Sequence, residues 1–239
     1  MSTAADNLFR ELKISCSSCS LGELCIAHGL SSREINKLDQ AVNHTILLKT
    51  GGMLYRQDDT FKSLYAIKSG SVKVITQSQD GQESIMGIYL PGEIIGFDGL
   101  ANGNYQSSIL AIETCHICKI DFDALHLAIP TIHPQLLKHA SKAINCIQSS
   151  YSTTKTSAEK RVVNFLLNLS ERYRQRGYIH TDFYLFLSRS EIGSLLNLTA
   201  ETISRCLRKL ERETYINIVN KRRILINDTN KLRALLQDH

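Results

Sequence analysis

Residues 188–226 read SRSEIGSLLNLTAETISRCLRKLERETYINIVNKRRILI, and this stretch decides the fold of the C-terminal third of the chain. Ser188 and Glu191 have the spacing of a capping box, and Thr199 is placed to cap a second helix. Alternating apolar residues on both sides of a basic turn at Lys221 predict a β-hairpin after the helices. Two short helices with a brief connection and a following hairpin are typical of a winged helix-turn-helix.

The second predicted helix carries side chains suited to reading base edges in the major groove of DNA. Arg205 offers two parallel donors to guanine, Glu201 accepts from a cytosine amino group, and Ser204 bonds to either kind of edge. Contacts to phosphates, which carry no sequence information, are predicted for Thr199, Thr202, Arg208, Lys221, Arg222 and Arg223. A second interpretation stays open, in which Glu201 and Arg205 form only an exposed pair four residues apart.

The distribution of charge also favours a polyanionic partner for this domain. The chain has 239 residues and a net charge of +5, but 16 lysines and arginines against 9 acidic residues fall from Lys155 to the end. The remainder is slightly acidic, with 12 basic against 14 acidic residues. A basic C-terminal third predicts binding to double-stranded DNA, although the same charges would also solvate ordinary helix faces.

A dimerisation helix is predicted over residues 134–157, directly before the DNA-binding domain at 158–239. Small or apolar residues recur there at steps of three and four, as in the seam of a two-stranded coiled coil. The seam consists of Leu137, Ala140, Ile144, Ile147, Tyr151 and Thr154, and continues to Ala158. This pattern predicts a homodimer; the alternative is a helix packed on its own β-domain.

Residues 31–133 have the pattern of a β-barrel. After a short helix opened by Ser31 and Glu34, short apolar runs alternate with turns such as Asp80-Gly81 and Pro91-Gly92. Many short strands at near-regular spacing predict a double-stranded β-helix, or jelly-roll, and an α+β chain overall. An enzyme of the cupin type, with metal ligands among His44, His116, His126 and His133, is disfavoured because no paired H-x-H signature is present.

Cysteines concentrate in the first 30 residues and at the end of the barrel. Five of the seven fall into two groups, formed by Cys16, Cys19 and Cys25 and by Cys115 and Cys118. No apolar run is long enough to span a membrane and the N-terminus lacks a signal-peptide core, so the chain is expected to be cytoplasmic. Clustered cysteines in a reducing compartment indicate metal binding or redox chemistry rather than structural disulfides. Cys146 and Cys206 are expected to be small buried hydrophobes.

The order of barrel, long helix and winged helix-turn-helix resembles the CRP/FNR superfamily of transcription regulators. LTAETISR at 198–205 is close to the FNR branch, and SLYAIKSG at 63–70, GFD at 96–98 and AEKR at 158–161 also match. The resemblance implies a cyclic-nucleotide-binding-like barrel and a dimeric activator that binds TTGAT-like inverted repeats. It also implies that Gln79–Glu83 and other barrel loops contact RNA polymerase.

The resemblance further implies an oxygen-sensing 4Fe-4S cluster, because CSLGELCI at 19–26 is FNR-like. Carried over residue by residue, its ligands are Cys16, Cys19, Cys25 and Cys118, and Cys115 is an additional thiol. Two alternatives stay open: a zinc site formed by Cys16, Cys19, Cys115 and Cys118, and a thiol–disulfide switch without metal. No acidic residue lies between Asp123 and Glu159, so repulsion between negative charges cannot keep the dimer helices apart. Two modes of control therefore stay open, in which oxygen changes either dimer assembly or the DNA affinity of a constitutive dimer.

A cyclic nucleotide is not expected as the effector. Members of the superfamily that bind one use a Gly-Glu pair and then an Arg-Ser or Arg-Thr pair inside the barrel. Gly92 and Glu93 are present, but no arginine occurs between Arg56 and Arg161, and the matching region reads YQSS at 105–108. A cyclic phosphate would therefore lack its bidentate guanidinium partner, which a lysine does not replace.

Overall fold

The computed structural model describes residues 15–78, 80–152 and 156–237. Its N-terminal part is a β-sandwich of two four-stranded antiparallel sheets, with strand orders β1-β8-β3-β6 and β2-β7-β4-β5. The strands are β1 Val42–Leu48, β2 Met53–Tyr55, β3 Ser63–Ser69, β4 Val72–Gln77, β5 Glu83–Tyr89, β6 Ile94–Ile95, β7 Ser108–Ala111 and β8 Cys115–Asp121. The predicted jelly-roll architecture is confirmed.

Alternation of side chains along the strands gives the first sheet two apolar faces. On β3, Tyr65 and Ile67 point into the core between the sheets, while Leu64 and Ala66 belong to a second buried cluster on the outer face. Successive residues of a strand point to opposite faces, so both faces of this sheet need a cover. The outer face is covered by the cysteine-containing segment and by helices α1 Ser32–Ala41 and α2 Phe122–Ala128.

The predicted cap of α1 is confirmed, because Ser31 and Glu34 form a reciprocal capping box. The segment before this helix contains a short 3-10 turn at Cys16–Ser18 and is otherwise built from turns up to Gly29. It is attached to α1 by Asp39, whose carboxylate accepts hydrogen bonds from the Cys16 N–H and the Ser15 hydroxyl. Helix α1 therefore fixes one end of the cysteine segment against the barrel.

Helix α3 spans His133–Ser152 and connects the barrel to the C-terminal domain. Its first turns bury Leu136 and His139 toward the barrel, whereas Leu137 and Ile144 are 69% and 53% exposed on the single chain. The predicted seam does not run through one continuous helix to Ala158, because Ala158 is the first residue of the next helix and Ser157 caps it. Thr154 and Gln79 lie outside the described residues.

The C-terminal domain is the predicted winged helix-turn-helix. Its elements are α4 Ala158–Gln175, β9 Asp182–Tyr184, α5 Arg189–Leu196, α6 Ala200–Arg212, β10 Ile216–Val219, β11 Arg223–Ile226 and α7 Thr229–Ala234. The capping box at Ser188 and the N-cap at Thr199 are confirmed, and Gly177 follows α4 with φ +70°. Strand β9 was not predicted; it pairs with β11 and completes a three-stranded sheet.

Polar contacts join the two folded parts. Lys73 on β4 forms an ion pair with Glu191 on α5, and the Ile85 N–H donates to the Ser194 hydroxyl at 3.0 Å. Leu90 of the barrel is buried within the core of the C-terminal domain. Across the described parts of the chain, no helix combines the length and the apolarity that crossing a bilayer requires.

Candidate DNA interface and sensor segment

The exposed face of α6 presents the predicted base-reading residues. Ile203, Leu207 and Leu210 are buried on the opposite face, which leaves Glu201 and Arg205 exposed one turn apart. Within the described residues these two side chains form no ion pair, so the guanidinium of Arg205 is not held by Glu201. The Ser204 hydroxyl donates to the Ala200 carbonyl at 2.9 Å and would have to rotate to donate to a base.

The connection between α5 and α6 is tight. Asn197 ends α5 in the left-handed region at φ 52°, and the Leu198 N–H returns to the Gly193 carbonyl at 2.8 Å. A Cβ added at Gly193 would lie 2.5 Å from the Leu198 carbonyl oxygen, so only glycine lets the turn approach the helix this closely. The Thr199 hydroxyl accepts from the Thr202 N–H and thereby starts α6.

The residues predicted to contact phosphates divide into two groups. Arg208, Lys221 and Arg222 are exposed, and Lys221 adopts φ 64° at the tip of the wing hairpin. Arg223 differs, because its guanidinium forms a bidentate pair with the Asp182 carboxylate at 2.7 and 2.5 Å. It also lies over the Tyr184 ring. Arg223 therefore makes a contact within the domain, which the sequence analysis did not predict. Recognition of strand β9, which carries Asp182, would have indicated this pair.

Four cysteines face the same region on the outer side of the first sheet. Cys16, Cys25 and Cys118 pack against the apolar cluster there, and Cys19 is half-buried beside them. Repulsion between the thiolate forms links Cys16 with Cys25 and Cys118, and Cys19 with both Cys25 and Cys118. The four cysteines that the resemblance implied as ligands therefore lie on the same side of the first sheet.

Burial dominates the acid–base chemistry of these thiols. Removal from water raises the pKa of Cys25 to about 11, and also raises the pKa of Cys118 and that of Cys16, where a hydrogen bond to Asp39 adds to the effect. No group of three His, Cys, Asp or Glu side chains converges closely enough for a metal ion within residues 15–78, 80–152 and 156–237.

Cys115 is separated from the other four. Three residues before Cys118 on β8, it points to the opposite face of the sheet, into the core between the sheets, where it is fully buried. Its thiol donates to the carbonyl oxygens of Ser71 and Glu113 at 3.2 and 3.1 Å, and burial raises its pKa to about 11. The structure does not bring Cys115 to the face that a four-cysteine zinc site with Cys118 would need.

The cysteine segment also contacts helix α3. The ring of His139 lies beside the backbone of Cys25, and Gln135 lies next to Gly29. Leu24 packs against Gly92, where an added Cβ would be 2.7 Å from the Leu24 side chain. The segment therefore lies between the barrel and the first turns of the helix that carries Leu137 and Ile144.

Glu93 forms ion pairs with the C-terminal domain. Its carboxylate is held by two arginines of α4, with Arg172 Nη2 and Arg176 Nη2 both 2.6 Å from its oxygens. These guanidinium groups hold the pKa of Glu93 below its usual range, although burial opposes the shift. The pair Gly92-Glu93 lies in the turn between β5 and β6, and the Glu93 carboxylate joins the barrel to α4.

Known protein families match both folded parts of the chain. The model of the cyclic nucleotide-binding domain matches residues 45–129, and the model of the Crp-like helix-turn-helix domain matches residues 160–235. The chain is 36% identical to the fumarate and nitrate reduction regulatory protein of Salmonella typhi, over 93% of this chain and 90% of that protein. It is 37% identical to the anaerobic regulatory protein of Haemophilus influenzae, over 93% and 88% of the two chains.

A solved structure supports the same architecture. FixK2 from Bradyrhizobium japonicum superposes with a TM-score of 0.73, covering 80% of this chain and 96% of that chain at 22% sequence identity. At this identity the likeness concerns the fold alone. The barrel, the connecting helix and the winged domain therefore occur together in a protein that is distant in sequence.

Proposed function

This chain belongs to the CRP/FNR family of transcription regulators, and we propose that a 4Fe-4S cluster held by Cys16, Cys19, Cys25 and Cys118 controls its binding to DNA. It is a DNA-binding regulator of the FNR and Anr anaerobic type and not an enzyme. Regulators of this family act as dimers on DNA.

The observation that carries the cluster proposal is that the four thiols lie at one face of the first sheet. Three come from a segment built of turns and the fourth from the central strand β8, and all four border one half-buried region. Closely spaced cysteines together with a remote one are the donor set that an iron–sulfur cluster uses. The neutral thiols favoured by burial would give up their protons when metal binds.

When bound, the cluster supplies a redox-sensitive cross-link between the N-terminal segment and the barrel. The protein's own residues then determine what this link holds in place. The backbone of Cys25 lies beside the ring of His139, and Ile26 packs with Leu136 in one apolar cluster. An ordered segment therefore supports the inner face of α3, while Leu137 and Ile144 on the outer face remain available to a second copy of the chain.

The cluster proposal is tested by anaerobic purification followed by iron, sulfide and zinc analysis and by visible absorption before and after exposure to air. We expect four irons and four sulfides per chain. Cys118→Ala should lose them, whereas Cys115→Ala should keep them because Cys115 lies on the other face of the sheet. A colourless protein with stoichiometric zinc, or equal loss of iron in the two variants, would refute the proposal.

For sequence recognition we propose that Glu201, Ser204 and Arg205 read TTGAT-like half-sites, and that Thr199, Thr202, Arg208, Lys221 and Arg222 contact phosphates. Arg205→Ala should weaken specific binding by about 1–3 kcal/mol and relax the preference at one base pair. Arg174→Ala removes the same charge from the far end of α4, where the residue pairs with Glu171, and serves as the control. Equal losses in the two variants in a gel-shift assay would contradict the assignment.

We also propose that the barrel binds no cyclic nucleotide. Its interior holds three tyrosines, with the rings of Tyr55 and Tyr105 stacked at 3.8 Å and the Tyr105 hydroxyl donating to the Ser63 carbonyl. Glu93 is already paired with Arg172 and Arg176. Isothermal titration with cyclic AMP should show no heat of binding, and a saturable signal would contradict this. The exposed β4–β5 turn remains our candidate for contacting RNA polymerase.

A further inference from the structure

The first turn of α4 contacts the linker before it, the turn between α5 and α6, and α6 itself. Arg161 Nη1 donates to the carbonyl oxygens of Leu196 and Asn197 at 3.1 and 3.2 Å, at the turn that leads into α6. Its Nε donates to the Thr156 carbonyl at 3.3 Å, in the linker that follows the dimerisation helix. One guanidinium group therefore joins the linker to the turn of the helix-turn-helix.

The Arg161 guanidinium suits the carbonyl groups that it contacts at the end of α5. The last carbonyl groups of a helix have no partner within it and carry the negative end of its dipole, so a cation stabilises them. The rigid fork of arginine serves two directions at once, here the end of α5 and the linker, whereas the single ammonium of lysine does not reproduce that geometry. Because these carbonyls already engage Arg161, its role differs from that of a phosphate-binding arginine on an open surface.

A second contact from the same turn reaches the other half of the recognition helix. Glu159 Oε2 lies 2.6 Å from Lys209 Nζ, and Lys209 is in the third turn of α6. Arg161 acts at the entry of α6 and Glu159 acts further along it. Together they fix the direction of the helix relative to α4 and the linker, because two separated attachments restrict rotation in a way that one does not.

We propose that Arg161 and Glu159 are positioning residues that hold the recognition helix at a fixed angle to the dimerisation linker, and so determine which half-site spacing the dimer accepts. The two recognition helices of such a dimer enter grooves about 34 Å apart. A small change in the angle of each helix moves its tip along the groove, which alters the preferred separation. The inference rests on the proposed reading of inverted repeats by a dimer.

The test uses the full chain, purified anaerobically, and a duplex selected from random DNA with the wild-type protein. The binding constants are measured for this duplex, for versions with the central spacer lengthened or shortened by a single base pair, and for unrelated DNA. Arg161→Gln should lose about tenfold in affinity at the preferred spacing and show a flattened dependence on spacing. Glu159→Gln should shift the same dependence to a smaller extent, and Arg161→Lys should recover it only in part.

Two measurements separate positioning from other roles. Affinity for unrelated DNA and the slope of log affinity against log salt should stay at the wild-type values in all variants. A slope reduced by about one unit would identify Arg161 as a phosphate contact and overturn the proposal. An unchanged spacing dependence in both Arg161→Gln and Glu159→Gln would also overturn it. A wild-type protein that selects no inverted repeat would refute the reading of inverted repeats, and this inference with it.

Discussion

Glu93 forms ion pairs with two arginines of α4, so replacing it should have a large effect on stability. Glu93 receives three hydrogen bonds from Arg172 and Arg176, and the Arg176 side chain is only 3% exposed. Glu93→Gln keeps the size of the side chain but removes its charge. The two adjacent, partly buried guanidinium groups would then lose the charge of this carboxylate.

The expected magnitude follows from the burial of the partners. Removing one partner of a buried ion pair costs about 3–5 kcal/mol, because the remaining charge is left uncompensated. The cost is reduced here, since Arg172 and Arg176 also donate to the carbonyls of Ile88 and Pro91 and Glu93 is 27% exposed. We expect a loss of about 2–3 kcal/mol, which for a chain of this length lowers Tm by about 5–10 °C.

Scanning calorimetry at neutral pH provides the measurement, with Glu171→Gln as the matched control. Glu171 pairs with Arg174 on the same helix, but the two side chains are 38% and 61% exposed, so its replacement should cost under about 0.5 kcal/mol. The pKa of Glu93 is lowered in the folded protein, so its contribution is present above the ordinary glutamate pKa and is lost as pH falls through the folded value. The difference between wild type and Glu93→Gln should therefore shrink only at acidic pH. A Tm for Glu93→Gln within 1–2 °C of the control would refute the reasoning.

Three further changes have defined outcomes. Gly193→Ala gains about 1 kcal/mol of helix propensity but places a Cβ 2.5 Å from the Leu198 carbonyl, so we expect a net loss of about 1–2 kcal/mol and a larger loss of specific DNA binding in gel shifts. Leu137→Glu should abolish dimers in analytical ultracentrifugation without lowering chain stability, whereas Leu136→Ala should cost about 2–5 kcal/mol of stability. Similar unfolding curves for these two variants would contradict the assignment of Leu136 to the buried face of α3 and of Leu137 to its exposed face. Asn197→Gly should be neutral in urea unfolding and Asn197→Ala should cost about 1 kcal/mol, since φ there is 52°; the reverse order would show that the turn is not strained.

Local signals predicted where three helices begin, because neighbouring residues encode each helix start. The capping boxes at Ser31 and Ser188 and the N-cap at Thr199 each involve a side chain and a backbone group within three residues. The amphipathic pattern of α6 likewise predicted which face is buried. Such features depend little on the rest of the molecule and are therefore readable from sequence alone.

The interactions that were missed are long-range. The partners of Glu93 lie 79 and 83 residues away in sequence, and Arg223 meets Asp182 across 41 residues on a strand too short to recognise. The separation of Cys115 from Cys118 was available in principle, since residues an odd number apart on a strand point to opposite faces. The spacing of the cysteines matches that of zinc ligands but does not show which face of the strand each thiol is on.

Strand β8 lies between β1 and β3 in its sheet, so Cys118 is held differently from the three cysteines of the N-terminal segment. Cys118 is paired with Thr45 on one neighbouring strand and with Ala66 on the other, so its location is locked by the register of the whole sheet. A slip of one residue would exchange the inward and outward sides and hide this thiol in the interior. The other three cysteines lie in a segment built of turns, which has no such strand pairing. Under the cluster proposal, substitutions that destabilise the barrel far from any cysteine should therefore also weaken iron binding.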